Sequence, residues 1–205
     1  LFRSIVKNDY CFQMHVEYVC AHRVDFSIYT QYFLYSQIKA KAFEDGYRLP
    51  EVLDSWMIEM SSWYIEYFKD KLETIDFSGR TKDFVLVITS QFLGPGHAPT
   101  ELVLRVCKGL LNSGRRMFLI NLADVHSLTG QIPYLGKKAN YYKEYLRREF
   151  LSYEDVDIPF FQCEEGMPDI DMMRVLISEI REMKPEIIIS VGEDIFSLTM
   201  DRPCG

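Results

Sequence analysis

The sequence predicts an α/β protein in which an open parallel sheet follows an all-helical domain. Two observations predict this fold class. Through residues 1–78, apolar and aromatic side chains recur at intervals of three and four, which is typical of helices. Beyond residue 79, short continuous apolar runs alternate with amphipathic segments, and such runs indicate strands buried between helices, as in parallel sheets. We therefore predict two domains, 1–78 and 79–205.

The first domain is predicted to be a helical bundle. A periodic segment over residues 9–43 is followed by Gly46, a residue type that commonly ends helices. A second helix is expected in the segment 50–75, because Pro50 suits a first helical turn and apolar side chains recur on one broad face. Those side chains are Leu53, Trp56, Met57, Met60, Trp63, Tyr64, Tyr67 and Phe68. We expect this aromatic stripe to form the core of the bundle rather than a platform for stacking sugars.

The second domain is predicted to alternate strands with helices. The strands are expected at residues 84–92, 116–122, 156–163 and 186–192, and the helices at residues 99–113, 139–151 and 168–184. Right-handed crossovers then give the strand order 3-2-1-4, a Rossmann-like arrangement, with the third strand at an edge because it contains Pro159. The first and fourth strands become neighbours. The crevice above their carboxyl ends is where open α/β sheets bind ligands.

A loop with two glycines, Gly94-Pro95-Gly96-His97-Ala98-Pro99, follows the first predicted strand. The glycines allow a ligand to approach the main chain closely, and the N-terminus of the next helix favours an anion. Pro99 stands where a dinucleotide fingerprint has its third glycine, and the loop lacks the Gly-Lys-Ser/Thr of a P-loop. A strand-to-helix turn with a proline in the first helical position explains the loop equally well.

Composition disfavours several classes of function. A formal net charge of -7 argues against broad contact with nucleic acid or anionic lipid. No apolar run reaches the roughly 18 residues of a membrane span, and a cytoplasmic setting is expected. The five cysteines are odd in number and include no CxxC pair, which favours reduced thiols over disulfides or zinc. His15 and His22 lie near one helix face, but no third residue has metal-ligand spacing, so core or capping roles are expected and no metal.

Two segments of the second domain carry a resemblance to a known family. The segment "QFLGPGHAPTELVLRVCKGLLNSGRRMFLIN" resembles the start of the N-terminal Rossmann-like domain of GT-B-fold glycosyltransferases, where a glycine-containing loop leads into a helix with a "GL...G" ending. The segment "MKPEIIISVGEDIFSL" is similar to the family's later "KPD" segment, whose strand ends at the inter-domain cleft. The resemblance implies an enzyme that transfers a sugar from a nucleotide-sugar donor to a protein or glycan acceptor. It also implies no cofactor besides that co-substrate.

The resemblance implies roles for individual residues. Gly94 and Gly96 match the family's glycine loop near the donor phosphates. His97 stands where a side chain touches the acceptor or the transferred sugar. Glu193 and Asp194, after the fourth strand, stand where a carboxylate acts as catalytic base or binds the acceptor.

His126 is a further candidate, because it lies in the long loop after the second strand and its pKa suits proton transfer at neutral pH. Each acid or base also fits a structural role. Glu193 and Asp194 suit the N-terminal cap of a following helix. His126 fits a solvated loop.

The family's donor-binding C-terminal domain has no counterpart in this sequence, so we expect a fragment of a longer chain that is inactive alone. An all-helical domain ahead of a GT-B core resembles cytoplasmic protein glycosyltransferases, which makes a polypeptide acceptor a candidate. One alternative is an NAD(P)-dependent or other nucleotide-binding Rossmann protein, with Asp124 on a ribose. Another is a non-catalytic interaction module in which the helical domain docks a partner.

Overall fold

The protein is represented by a computed structural model that describes residues 8–68, 71, 75, 78–89, 92, 96–122, 148–163 and 170–191. The chain divides into two compact units, Leu1–Glu66 and Tyr67–Gly205. The described helices are α1 (Asp9–Ala21), α2 (Ile28–Asp45), α3 (Val52–Phe68), α4 (Ala98–Asn112) and α5 (Ile170–Met183). The described strands are β1 (Thr81–Thr89), β2 (Arg116–Asn121), β3 (Phe150–Tyr153), β4 (Val156–Gln162) and β5 (Pro185–Val191). The predicted α/β class is confirmed, and the domain boundary predicted after residue 78 stays a prediction.

In the first unit, a capping side chain and a glycine set helix ends. Asn8 caps α1, because its side-chain oxygen accepts a hydrogen bond from the Cys11 N–H at 2.8 Å. Gly46 ends α2 in the left-handed conformation, with a φ of 70°. The predicted helix end at Gly46 is therefore confirmed. The periodic segment 9–43, however, forms two helices that are separated by a 3-10 turn at Arg23–Asp25.

Aromatic side chains contribute to the core of the first unit. Trp56 is buried, and its ring meets the Tyr35 ring edge-on with 5.8 Å between centroids. The Trp56 indole N–H donates to Gln31 Oε1 at 3.1 Å, so the polar end of this large side chain is also satisfied. Arg23 Nε and Nη2 donate to the two carboxylate oxygens of Glu59 at 2.8 and 2.7 Å, which joins the 3-10 turn to α3.

The second unit contains a five-stranded mixed sheet in the order β3-β4-β2-β1-β5. Strand β1 pairs in parallel with β2 and with β5, and β2 pairs in parallel with β4. Strand β3 pairs antiparallel with β4. The observed order differs from the predicted one, because β3 adds a fifth strand that the prediction did not contain. The four predicted strands correspond to β1, β2, β4 and β5.

Strand β3 corrects two details of the prediction. Pro159 lies in β4 and pairs with Phe150 of β3, so β3 and not β4 is the edge strand. Proline has no backbone N–H to donate to a neighbouring strand. Strand β4 can contain Pro159 although it lies inside the sheet, because its pairing with β2 begins only at the next residue, Phe160. Residues 150 and 151, predicted to end a helix, belong to β3, and residues 139–147 of that predicted helix lie outside the described residues.

A hydrophobic core joins α4 to one face of the sheet. Side chains alternate between the two faces of a strand, so Val85 and Val87 of β1 share a face, and Leu119 of β2 lies on it in register with Val87. Val103 and Cys107 of α4, one helical turn apart, belong to the same buried cluster. This packing fixes α4 on that face of the sheet.

A lysine on α4 holds the turn between β3 and β4. Tyr153 pairs with Val156, so the turn consists of Glu154 and Asp155, and Glu154 has a positive φ of 52°. Lys108 donates hydrogen bonds to both carboxylates. These bonds raise the pKa of Lys108, and the bond from Lys108 lowers the pKa of Asp155. The hairpin at the sheet edge is thereby tied to the helix.

Replacement of Lys108 by methionine (Lys108→Met) is expected to weaken the fold above pH 3.8, the usual pKa of Asp155, and to flatten its loss of stability in acid. The pKa of Asp155 is lowered in the folded state, so the ion pair stabilises the fold above the unfolded-state pKa. That contribution is lost as the pH falls through the folded-state value. Urea midpoints measured by circular dichroism at several pH values test this. Lys82→Met, at an exposed position of β1, is the control. Identical acid profiles for the two variants would contradict the prediction.

Candidate ligand-binding site

The segment that begins α4 is held by hydrogen bonds of its own residues. Gly96 has a φ of 78°, and its N–H donates a long hydrogen bond to Glu101 Oε1 at 3.4 Å. His97 is the N-cap residue, and its carbonyl accepts from the Glu101 N–H at 3.0 Å. His97 Nδ1 lies 2.9 Å from Thr100 Oγ1. The Tyr153 hydroxyl donates to Glu101 Oε2 at 3.4 Å, so Glu101 connects the loop to the β3–β4 hairpin.

Helix α4 begins at the edge of the sheet where the parallel strands end. It follows β1 and leads into β2, which pairs in parallel with β1, so its N-terminus lies at their carboxyl ends. The first peptide N–H groups of a helix and its dipole favour negative charge at this end. Pro99 occupies the second helical position and removes one of these donors. The helix end therefore favours a ligand with partial or full negative charge, which would compete with the Glu101 carboxylate for the Gly96 N–H.

Three polar side chains end the strands at the same edge. Thr89, Asn121 and Gln162 are the last residues of β1, β2 and β4, and they stand in register across the sheet. All three are buried. Each lies two residues after an apolar residue of the core that packs against α4, so its side chain is on that same face of the sheet. Asn121 Nδ2 donates a buried hydrogen bond to Gln162 Oε1 at 2.9 Å. We call Thr89, Asn121 and Gln162 the polar row.

The polar row gains a fourth buried group from the helix. Thr100 is fully buried in the first turn of α4, on the same stripe as Val103 and Cys107. Burying a polar group costs free energy unless it is hydrogen-bonded. Four buried polar side chains at one edge of the sheet are therefore not explained by hydrophobic packing. Gly96 is exposed and His97 is half-buried, whereas Thr100 and the polar row are buried, so of these residues Gly96 and His97 are the ones open to a ligand.

The chemical capacity of the edge follows from these groups. Amides and hydroxyls are uncharged donors and acceptors, which suit the hydroxyl groups of a polar ligand. Backbone N–H groups at the start of α4 suit a phosphate or carboxylate. The imidazole of His97 has a second ring nitrogen that can donate or accept a hydrogen bond, and its contact with Thr100 orients the ring. The arrangement can bind a hydroxyl-rich or anionic ligand and assist proton transfer.

The structure brings two of the predicted site residues together at this edge, Gly96 and His97, which are neighbours in the chain. Gly94, His126, Glu193 and Asp194 lie outside the described residues, and so does Asp124, which the alternative dehydrogenase prediction needs. Their roles stay predictions. The described part of β5 ends at Val191, in register with Thr89 of the polar row.

The two histidines of the first unit make local contacts. His15 Nδ1 lies 2.6 Å from the Cys11 carbonyl oxygen, and His22 Nδ1 lies 3.5 Å from a carboxylate oxygen of Asp25. No group of three or more histidine, cysteine or acidic side chains within the described ranges could hold a metal ion. Among the described helices, none is both long enough and apolar enough to span a membrane.

The described cysteines carry free thiols, and those of the second unit are buried. Burial raises the pKa of Cys107 to about 12 and the pKa of Cys163 to about 11. Both thiols are therefore protonated at neutral pH and unsuited to nucleophilic chemistry. Cys204 lies outside the described residues.

Sequence reasoning missed the polar row and Thr100. A signal was present, because the apolar runs "VLVIT", "MFLIN" and "PFFQ" each end on a polar residue. Each of these endings alone marks only the end of a strand. The pairing register is needed to show that the three side chains lie side by side on one face.

The fold and the candidate site define an α/β protein with a polar carboxyl edge at the start of a crossover helix. Comparison of the chain with protein-family models, with curated proteins and with solved structures found no match. The functional assignment therefore rests on the geometry of the edge and on the resemblance in the sequence.

Replacing Asn121 by alanine is expected to destabilise the α/β unit by roughly 1–3 kcal/mol, because Gln162 Oε1 is left buried without this donor. Gln162→Ala should have a similar effect. The double variant should cost less than the sum of the two, with a coupling of about 0.5–3 kcal/mol for residues in one hydrogen bond. Urea unfolding of the four proteins measures the cycle, and strict additivity would contradict a shared bond.

Alanine at Gly96 and alanine at Gly109 are expected to change stability in opposite directions. A Cβ would meet no atom within 4 Å at either position, so backbone conformation alone decides. At Gly96 the positive φ makes alanine unfavourable by about 1–2 kcal/mol. Within α4, Gly109→Ala should stabilise by about 0.5–1 kcal/mol. Thermal unfolding of both variants tests the pair, and stabilisation by Gly96→Ala would contradict the left-handed turn.

Proposed function

We propose that the α/β unit is the Rossmann-like, acceptor-side domain of a GT-B-type glycosyltransferase, preceded by a helical domain. The full protein would transfer a sugar from a nucleotide-sugar donor to a protein or glycan acceptor. One observation carries the proposal: the N-terminus of α4, with Gly96 and His97, lies at the carboxyl edge of the parallel strands, which is also where the polar row ends three of them. In open α/β sheets, ligands bind at this edge.

The composition of the edge supports a sugar as the ligand. A sugar presents hydroxyl groups that both donate and accept, and amide and hydroxyl side chains match both roles without a net charge. A transferred sugar leaves a diphosphate, and the N-terminus of α4 favours such negative charge. The exposed Gly96 has no side chain to obstruct a ligand that approaches the main chain.

His97 is proposed to contact the acceptor hydroxyl or the transferred sugar. The contact between its Nδ1 and the Thr100 hydroxyl orients the imidazole, so proton exchange with a ligand would pass through Nε2. Thr100 is then a positioning residue. Glu193 and Asp194 remain proposed as a base or as acceptor-binding groups on the strength of the sequence resemblance, and His126 remains a candidate because of its place in the loop after the second strand.

Binding of UDP-sugars, GDP-sugars and NADH to the 205-residue chain tests the proposal. We expect a nucleotide sugar to bind more tightly than NADH in isothermal titration, although weakly because most donor contacts belong to the other GT-B domain. Tighter binding of NADH than of any nucleotide sugar would overturn the proposal in favour of a dinucleotide-binding protein.

His97→Ala is expected to weaken nucleotide-sugar binding about tenfold, since a hydrogen bond to a charged or polar ligand is worth about 1.5 kcal/mol. His22→Ala, at an exposed histidine of the first unit, is the matched control and should bind normally. Because His97→Ala also removes the contact with the buried Thr100 hydroxyl, affinities are compared at a temperature at which circular dichroism shows both variants to be folded. Unaltered affinity in His97→Ala would remove this residue from the site.

A further inference from the structure

The sheet face opposite α4 carries an apolar groove. Phe118 and Ile120 of β2 alternate with the residues that face α4, so they lie on the other face of the sheet. Phe161 and Cys163, at the end of β4, extend this floor. The groove has a volume of about 580 Å³, within the range of roughly 300–1,000 Å³ that is usual for small-molecule sites. It is separate from the polar row, which belongs to the α4 face.

One side of α5 forms the wall of the groove. Val175, Glu179 and Met183 follow one another at intervals of four residues, so they line one side of the helix over about 12 Å. Leu176 is buried at the base of this wall. Of the side chains that line the groove, Phe161 is 53% and Val175 is 61% exposed. The groove is therefore elongated, apolar and open to solvent along its length.

The charge carried by the described residues of the groove is negative. Among the described residues that line it, Glu179 is the only charged one, and no lysine or arginine is present. No hydrogen bond or ion pair found in the described parts of the chain involves Glu179. The chain as a whole has a formal net charge of -7. A cation seated beside the apolar floor would be attracted to Glu179, and no lysine or arginine among the described lining residues would oppose it.

We propose that this groove binds an elongated apolar ligand that carries a cationic group, of the alkylammonium class. The apolar body would cover the floor of Phe118, Ile120 and Phe161, and the cation would lie against the Glu179 carboxylate. Exposed large apolar side chains that surround a concave surface commonly mark binding sites. The Glu179 carboxylate would orient the ligand and make the groove prefer a cation to an anion.

Two probes with matched chains and opposite charges test the proposal. Octylammonium and octanoate are titrated separately into the 205-residue chain at pH 7, below the concentrations at which either aggregates. Octylammonium should bind several times more tightly than octanoate. Butylammonium should bind much more weakly than octylammonium, because each buried CH₂ contributes about fourfold in affinity, equivalent to about 0.8 kcal/mol. Equal affinities for the two octyl probes, or no binding of either, would overturn the proposal.

Charge variants on α5 separate the specific contact from the field of the whole protein. Glu179→Gln should abolish most of the preference for octylammonium while leaving the effect of chain length unchanged. Glu182→Gln, which removes an exposed carboxylate of the same helix that is not among the groove residues, should leave the preference unchanged. Both substitutions are at solvent-exposed positions, so neither should unfold the helix. Equal effects of the two variants would show that the preference is not set at the groove.

Discussion

The α/β unit depends on the complete burial of strand β1. Val85, Leu86, Val87 and Ile88 are each 0% exposed, so both faces of the strand are covered. Strand β1 also pairs with β2 on one side and with β5 on the other, so its buried main-chain N–H and C=O groups are hydrogen-bonded to neighbouring strands instead of to water. Two neighbouring parallel strands need a crossover connection between them. The chain must therefore cross a face of the sheet to pass from β1 to its parallel neighbour. The position of α4 and the direction of its dipole follow from this constraint.

Strands β1, β2 and β4 change from apolar to polar residues where they leave this core. The hydrogen-bonded ladder continues one step past the strand ends, because the Leu122 N–H donates to the Thr89 carbonyl and the Cys163 N–H donates to the Asn121 carbonyl, both at 2.8 Å. The bond between the Asn121 and Gln162 side chains adds a cross-strand link at the same level. These links keep the strand ends aligned. Aligned ends are what allow a loop such as that of Gly96 and His97 to be held in a defined position.

Local residue patterns in the sequence predicted most of the helices and strands. The edge strand and the order of the sheet became clear only from the pairing between strands. The apolar run of β1 and the amphipathic stripe of α4 were recognisable in the sequence, since burial and helical periodicity leave direct marks on residue type. Strand β3 was not, because it has four residues and follows residues with a helical period. Its partner β4 was misjudged as an edge because Pro159 was read without the hairpin that covers it. In the same way, the candidate site was found in the sequence only where it is contiguous, at Gly96 and His97.

The two faces of the sheet are chemically different, and one interaction keeps them so. Ile120 forms part of the groove floor, whereas its neighbour Asn121 belongs to the polar row, and Phe161 and Gln162 repeat this pair on β4. A slip of one residue between the strands would exchange the two sets, placing amides in an apolar groove and aromatic groups at the polar edge. The Asn121–Gln162 hydrogen bond is possible only in the observed register, because both partners must face the same side. A buried polar pair thus contributes more to selecting the register than to net stability, and both candidate ligand surfaces depend on that register.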